Sequence, residues 1–136
     1  MSEAEFPWPL SICLNLIKKE DSPHRKFLCA LTKKMEEDFK SGESSKLDCF
    51  LNPTVLAEEI GKEISNRLTS RNIASILLVA FQASGLREGK GNDYWITTSH
   101  GQVRYHLRLT SDVLSKLKKF SKIKSGGSNE PLFLKF

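Results

Sequence analysis

Apolar residues recur with a period of about 3.6 through the first part of this chain, and with a period of two after residue 85. In "PHRKFLCALTKKMEEDFKSGE", Phe27, Leu28, Leu31, Met35 and Phe39 share one helical face while Lys and Glu fill the other. Ser22 as N-cap and Pro23 at the first helical position predict its start, and Gly42 its stop. "FLNPTVLAEEIGKEI" repeats the arrangement, with Asn52 as cap, Pro53 at the first position and Leu56, Ile60 and Ile64 as the stripe. Past the polar "SNR", the segment "LTSRNIASILLVAFQASGL" predicts a helix capped by Thr69 or Ser70. It buries Ile73, Ile76, Leu77, Leu78, Ala80 and Phe81, and ends at a left-handed Gly85.

The period of two then predicts extended pieces over 86–88, 94–98 and 102–109, separated by the turn-rich "GKGND" and "SHG". Within "GQVRYHLRLT", Val103, Tyr105, Leu107 and Leu109 share one parity, and Gln102, Arg104, His106 and Arg108 the other. Such a strand has one apolar face and one basic face. A last helix, starting at Thr110 or Ser111, buries Val113, Leu114, Leu117 and Phe120 and exposes Lys116, Lys118, Lys119 and Lys122. At the other end, "EFPWPL" reads as an extended arm that docks Phe6, Trp8 and Leu10 on the body. "LSICLNLIKK" reads as a short helix, "SGESSK" as a polar link, and "SGGSNE" with "PLFLKF" as a flexible linker and apolar tail. The organisation expected is therefore an arm and short helix over 1–22, a body over 23–122 and a tail over 123–136.

Composition sharpens this picture. With 136 residues, 39% of them hydrophobic and 27% charged, the chain has the size and balance of one soluble domain. Its net charge of +5 is unevenly placed. Residues 1–60 hold eight Lys/Arg against eleven Asp/Glu, whereas residues 61–125 hold twelve against four. A basic half of this kind suits a polyanionic partner. No apolar run approaches the roughly 18 residues of a membrane span, and the acidic start lacks the cationic region of a secretory signal. Cys13, Cys29 and Cys49 are widely spaced among apolar neighbours, which predicts three buried, reduced thiols and no zinc site.

Enzyme signatures are not found. "GLREGKGND" lacks the spacing of a phosphate loop, and Lys90 is not followed by Ser or Thr. Glu58 and Glu59 are adjacent on a helix, so they point about 100° apart and do not form an acid/base pair. Tyr94, Trp95 and Tyr105 are expected in the core or at its edge, and His100 and His106 on the surface. No catalysis, metal or cofactor is expected.

From "LAEEIGKEI" through "LTSRNIASILLVAFQASGL" to "YWITTSHGQVRYHLRLTSDVLSKL", the order of elements resembles the winged helix-turn-helix class of DNA-binding domains over residues 51–120, with 24–40 as the preceding helix. The resemblance implies an α+β fold, mainly α, a winged helix-turn-helix with an N-terminal helical extension. It implies a recognition helix over about 69–84 with Ser70, Arg71, Asn72 and Ser75 toward base edges. Thr69, Lys90, Asn92, Arg104, His106, Arg108 and Lys118 would then contact the DNA backbone. Either "EGKGND" or "TTSHGQ" would form the wing. The expected partner is double-stranded DNA, with transcription regulation or service to a DNA-handling complex as the role, in the cytoplasm and at the nucleoid or in the nucleus when bound. The alternative is a protein–protein adaptor. A protein partner or a second copy would engage the arm or the tail.

Overall fold

The computed structural model describes residues 8–42, 46–65 and 68–122. It is an α+β fold, mainly helical, with one antiparallel sheet. Helix α1 (Trp8–Lys18) starts at the tryptophan expected in an extended arm. Pro9 sits in its first turn, where a missing N–H leaves no intrahelical bond unmade. Phe6 and the apolar tail lie outside the described residues. Cys13, Leu14 and Ile17 of α1 enter the same core as the rest of the chain, so this segment belongs to the body and is not a separate extension.

Helix α2 (Pro23–Ser41) begins as its sequence predicts: Ser22 Oγ accepts from the Arg25 backbone N at 3.1 Å. The same hydroxyl donates to Lys19 O at 2.9 Å, and buried Arg25 donates from Nε to Ile17 O at 2.8 Å. The carbonyls that α1 leaves open at its end are thus met by the start of α2. Gly42 closes α2 with extended backbone, not a left-handed turn.

Strand β1 (Lys46–Leu51) follows, starting on the last residue of the supposed polar link. Leu47, Cys49 and Leu51 turn inward while Asp48 and Phe50 turn out. Asn52 then caps α3 (Pro53–Leu56), its Oδ1 accepting from Thr54 N at 2.9 Å. The helix continues through a π turn at Ala57–Gly61 into α4 (Lys62–Ile64). Buried Gly61 faces α5: a Cβ there would stand 3.2 Å from Ile73 Cδ1, so glycine lets the two helices approach closely.

Helix α5 (Ser70–Ala83) is the centre of the core, burying Ile73, Ile76, Leu77, Val79, Ala80, Phe81 and Ala83. Leu78 is only half-buried. Gly85 takes φ +82°, the left-handed stop its sequence predicts. Residues 86–88 form no strand, only a bridge from Glu88 to Tyr94. Strands β2 (Tyr94–Ser99) and β3 (Gln102–Thr110) are joined by His100 at φ 52° and Gly101 at φ 77°. Two left-handed residues in a row are what a tight right-twisted hairpin needs. Strand β1 pairs on the far side of β3, giving the order β1-β3-β2.

The inner face of this sheet packs on α5. The Phe81 ring lies 4.9 Å from Tyr94 and 6.2 Å from Tyr105. Helix α6 (Ser111–Phe120), capped by Thr110, adds Val113, Leu114, Leu117 and Phe120. Among the described residues no helix is long and apolar enough to cross a membrane. Of the cysteines, only Cys13 is fully buried, and burial pushes its thiol up to about 12. Half-buried Cys49 is raised to about 11, by burial first and then by Asp38 and Asp48. Cys29 is exposed on α2, against the expectation of three buried thiols.

Candidate nucleic-acid interface

The first turn of α5 is built by a reciprocal cap. Thr69 Oγ1 accepts from Asn72 N at 3.2 Å, while Asn72 Oδ1 accepts from Thr69 N at 3.1 Å and from Thr69 Oγ1 at 3.0 Å. This occupies the oxygen that a bidentate contact from Asn72 to adenine needs. Ser70 and Arg71 are exposed on the same turn, and Ser75 is half-buried one turn on. Among the described residues nothing pairs with the Arg71 guanidinium. The unpaired N–H groups and positive dipole end of a 14-residue helix favour an anion here as well.

The hairpin lies along α5, with its turn at the N-terminal end of that helix. Tyr94 packs against Phe81, whereas the Tyr105 hydroxyl donates to Ala74 O at 3.4 Å, two turns nearer the helix start. Asn52 Nδ2 donates to Gln102 Oε1 at 3.3 Å, which anchors the base of the turn to the start of α3. Of the two candidate wings, "TTSHGQ" therefore lies toward the N-terminal end of α5. The "EGKGND" loop sits at the opposite end, folded on itself. Arg87 N donates to Asp93 Oδ2 at 2.8 Å and Asn92 Nδ2 to Glu88 O at 3.0 Å. Lys90 and Asn92 are thus about a helix length, roughly 20 Å, from Arg71.

The outer face of the sheet holds the basic parity of β3. Tyr105, Leu107 and Leu109 are buried beneath it as expected, while Val103 is 38% exposed near the turn. Arg104 is half-buried and makes no ion pair or hydrogen bond among the described residues. His106 shares a 2.8 Å hydrogen bond between Nε2 and Thr97 Oγ1. Its ring stacks on Trp95 at 5.2 Å and 8°, and meets Phe50 edge-on at 4.3 Å. Arg108 lies 5.9 Å over the Trp95 ring, 3.8 Å from Asp48 and 3.3 Å from Gly91 O.

No family model, curated protein or solved structure matches this chain.

The expected contact residues therefore fall into separate places. Thr69, Ser70, Arg71, Asn72 and Ser75 gather at the start of α5. Arg104, His106 and Arg108 lie on the outer sheet face, and Lys90 and Asn92 at the far loop. Lys118 stands on α6, where it donates to Glu36 Oε2 at 2.6 Å. That hydrogen bond, together with Lys118 and Lys40 charge, holds the Glu36 carboxyl below its ordinary range. Trp95 departs from its expected place at the core edge, because its parity on β2 matches that of outward-facing Thr97. Phe50, 70% exposed, was not singled out from the sequence, although the alternation of "KLDCFL" carries the signal. Among the described residues no group of His, Cys, Asp and Glu could hold a metal ion.

Proposed function

We propose that this chain is a winged helix-turn-helix protein that binds duplex DNA without catalysis, as a transcription regulator or an accessory factor of a DNA-handling complex. One observation carries the reading: Arg71, exposed and without a partner among the described residues, stands on the first turn of α5, toward the end of that helix to which the β2–β3 hairpin runs. Support also comes from β1 lying between α2 and α3 and pairing with β3, so that two helices, the hairpin and α5 share one core. In this reading α5 enters the major groove, Ser70, Arg71 and Ser75 meet base edges, and the turn at His100–Gly101 meets the backbone. Asn72 holds the helix start in shape.

The test is fluorescence anisotropy of a labelled random-sequence duplex across a salt series. Micromolar binding at low salt that weakens steeply as salt rises supports the reading. Flat anisotropy from a folded protein removes it.

A second reading, a protein–protein adaptor, is favoured by an open groove of about 420 Å3 between α2, β1 and α3. Leu31, Met35 and Leu56 lie along it, with exposed Phe50 and Val55 also on its lining. Flat anisotropy would turn attention there.

A further inference from the structure

We infer that the outer face of the sheet is a second nucleic-acid site, one that stacks the unpaired bases of a single strand. The strand register sets Phe50, His106 and Trp95 in one row across all three strands. Trp95 and His106 are stacked nearly parallel, and Phe50 stands edge-on to His106 with 70% of its surface open. A large ring on an outward strand position adds nothing to the core; Trp95 and His106 cover one face of each other, so base faces would meet the open Phe50 ring and the outer rim of the row.

Charge decides between a base-bearing polymer and a neutral protein surface. The outward positions of the three strands carry Lys46, Arg104 and Arg108, with Asp48 as the acidic residue among them. Arg108 is tied to Asp48 and Gly91, and its guanidinium lies over Trp95, where it extends the row. Arg104 sits one outward position from His106 along β3 and has no partner among the described residues, so it can take a phosphate. Thr97, beside Arg104 in the register, hydrogen-bonds His106 and fixes the ring plane. Stacking on rings accepts every base, so the site reads no sequence. It does not depend on the duplex reading, since Arg71 belongs to α5 and not to this face.

The experiment uses the full chain and a labelled 15-nucleotide oligo-dT at low salt, followed by anisotropy. Quenching of Trp95 is measured in a Trp8→Phe background, which leaves Trp95 as the sole tryptophan of the two. Saturable binding with quenching is expected. Phe50→Ala should weaken it about tenfold with the circular dichroism unchanged, and Arg104→Ala should weaken it and flatten its salt dependence. Arg71→Ala should leave oligo-dT binding as it was, which separates this site from the duplex site. No binding, or binding without Trp95 quenching, overturns the inference; a face reserved for a protein partner would give the first result. Phe50→Ala binding within twofold of the parent overturns it too.

Discussion

Lys118 on α6 places its ammonium 2.6 Å from the Glu36 carboxylate on α2, joining elements 82 residues apart. The lysine was expected among DNA-backbone contacts; in the fold it joins two helices through Glu36. The Glu36 pKa is lowered in the fold, so the contribution of the pair is present above the ordinary glutamate range and is lost as pH falls through the depressed value. Lys118→Met should lower the urea midpoint at pH 7, and the difference from the parent should shrink as pH falls through the depressed Glu36 value. Duplex affinity should stay unchanged. A midpoint lowered equally across that pH range would show that lost packing, not charge, is responsible.

Arg71 and Asn72 are neighbours with opposite expected phenotypes. Arg71→Ala removes an exposed side chain that has no partner among the described residues, so stability should hold within about 0.5 kcal/mol while duplex binding weakens and sequence preference relaxes. Asn72→Ala breaks the reciprocal cap and should cost about 1 kcal/mol in denaturation, with base preference kept. A variant panel in which Asn72→Ala alters preference and not stability would reverse these roles.

Two phenylalanines make a second contrast. Phe81 is buried between α5 and the sheet, against Tyr94 and Tyr105, and Phe81→Ala should cost roughly 3–5 kcal/mol. Phe50 stands on the open face, and Phe50→Ala should change stability by less than about 0.5 kcal/mol. Urea titration of both variants checks this and also shows that Phe50→Ala is a fair probe of binding.

Thiol chemistry reports the same burial. Exposed Cys29 should react with a disulfide reagent quickly in the native state. Cys49, half-buried and raised to about 11, should react slowly. Cys13, buried and raised to about 12, should wait for unfolding. Mass spectrometry of timed samples distinguishes the three. Rapid native labelling of Cys13 would contradict the packing of α1 on the core.

Helices α2, α3, α5 and α6 were legible in the sequence because each carries its own punctuation, whereas α1 begins at Trp8, inside the segment expected to be extended. Ser22, Asn52, Thr69 and Thr110 cap where their residue types predict, and Gly85 stops α5 as a left-handed residue must. The hairpin was legible for the same local reasons. Strand β1 was not, because "KLDCFL" offers three inward residues before Asn52 and Pro53 open the next helix, and its pairing with β3 is a contact across the chain. The missing strand also hid the row of rings: without β1, Phe50 has no register against His106. The α5 surface was named in outline from small polar residues beside Arg71. The use of Asn72 as a cap, of Asn92 as a loop brace and of Lys118 as an interhelical anchor depends on partners that composition does not reveal.

The close crossing at Gly61 turns a single hydrogen atom into a gauge of how the Arg71 turn is aimed. A methyl group at that spot would press on the Ile73 side chain, which would have to yield by a few tenths of an ångström for α5 to keep its seat. Bulk larger than a methyl group at position 61 should therefore be felt at the start of α5 through Ile73, whatever molecule that turn meets.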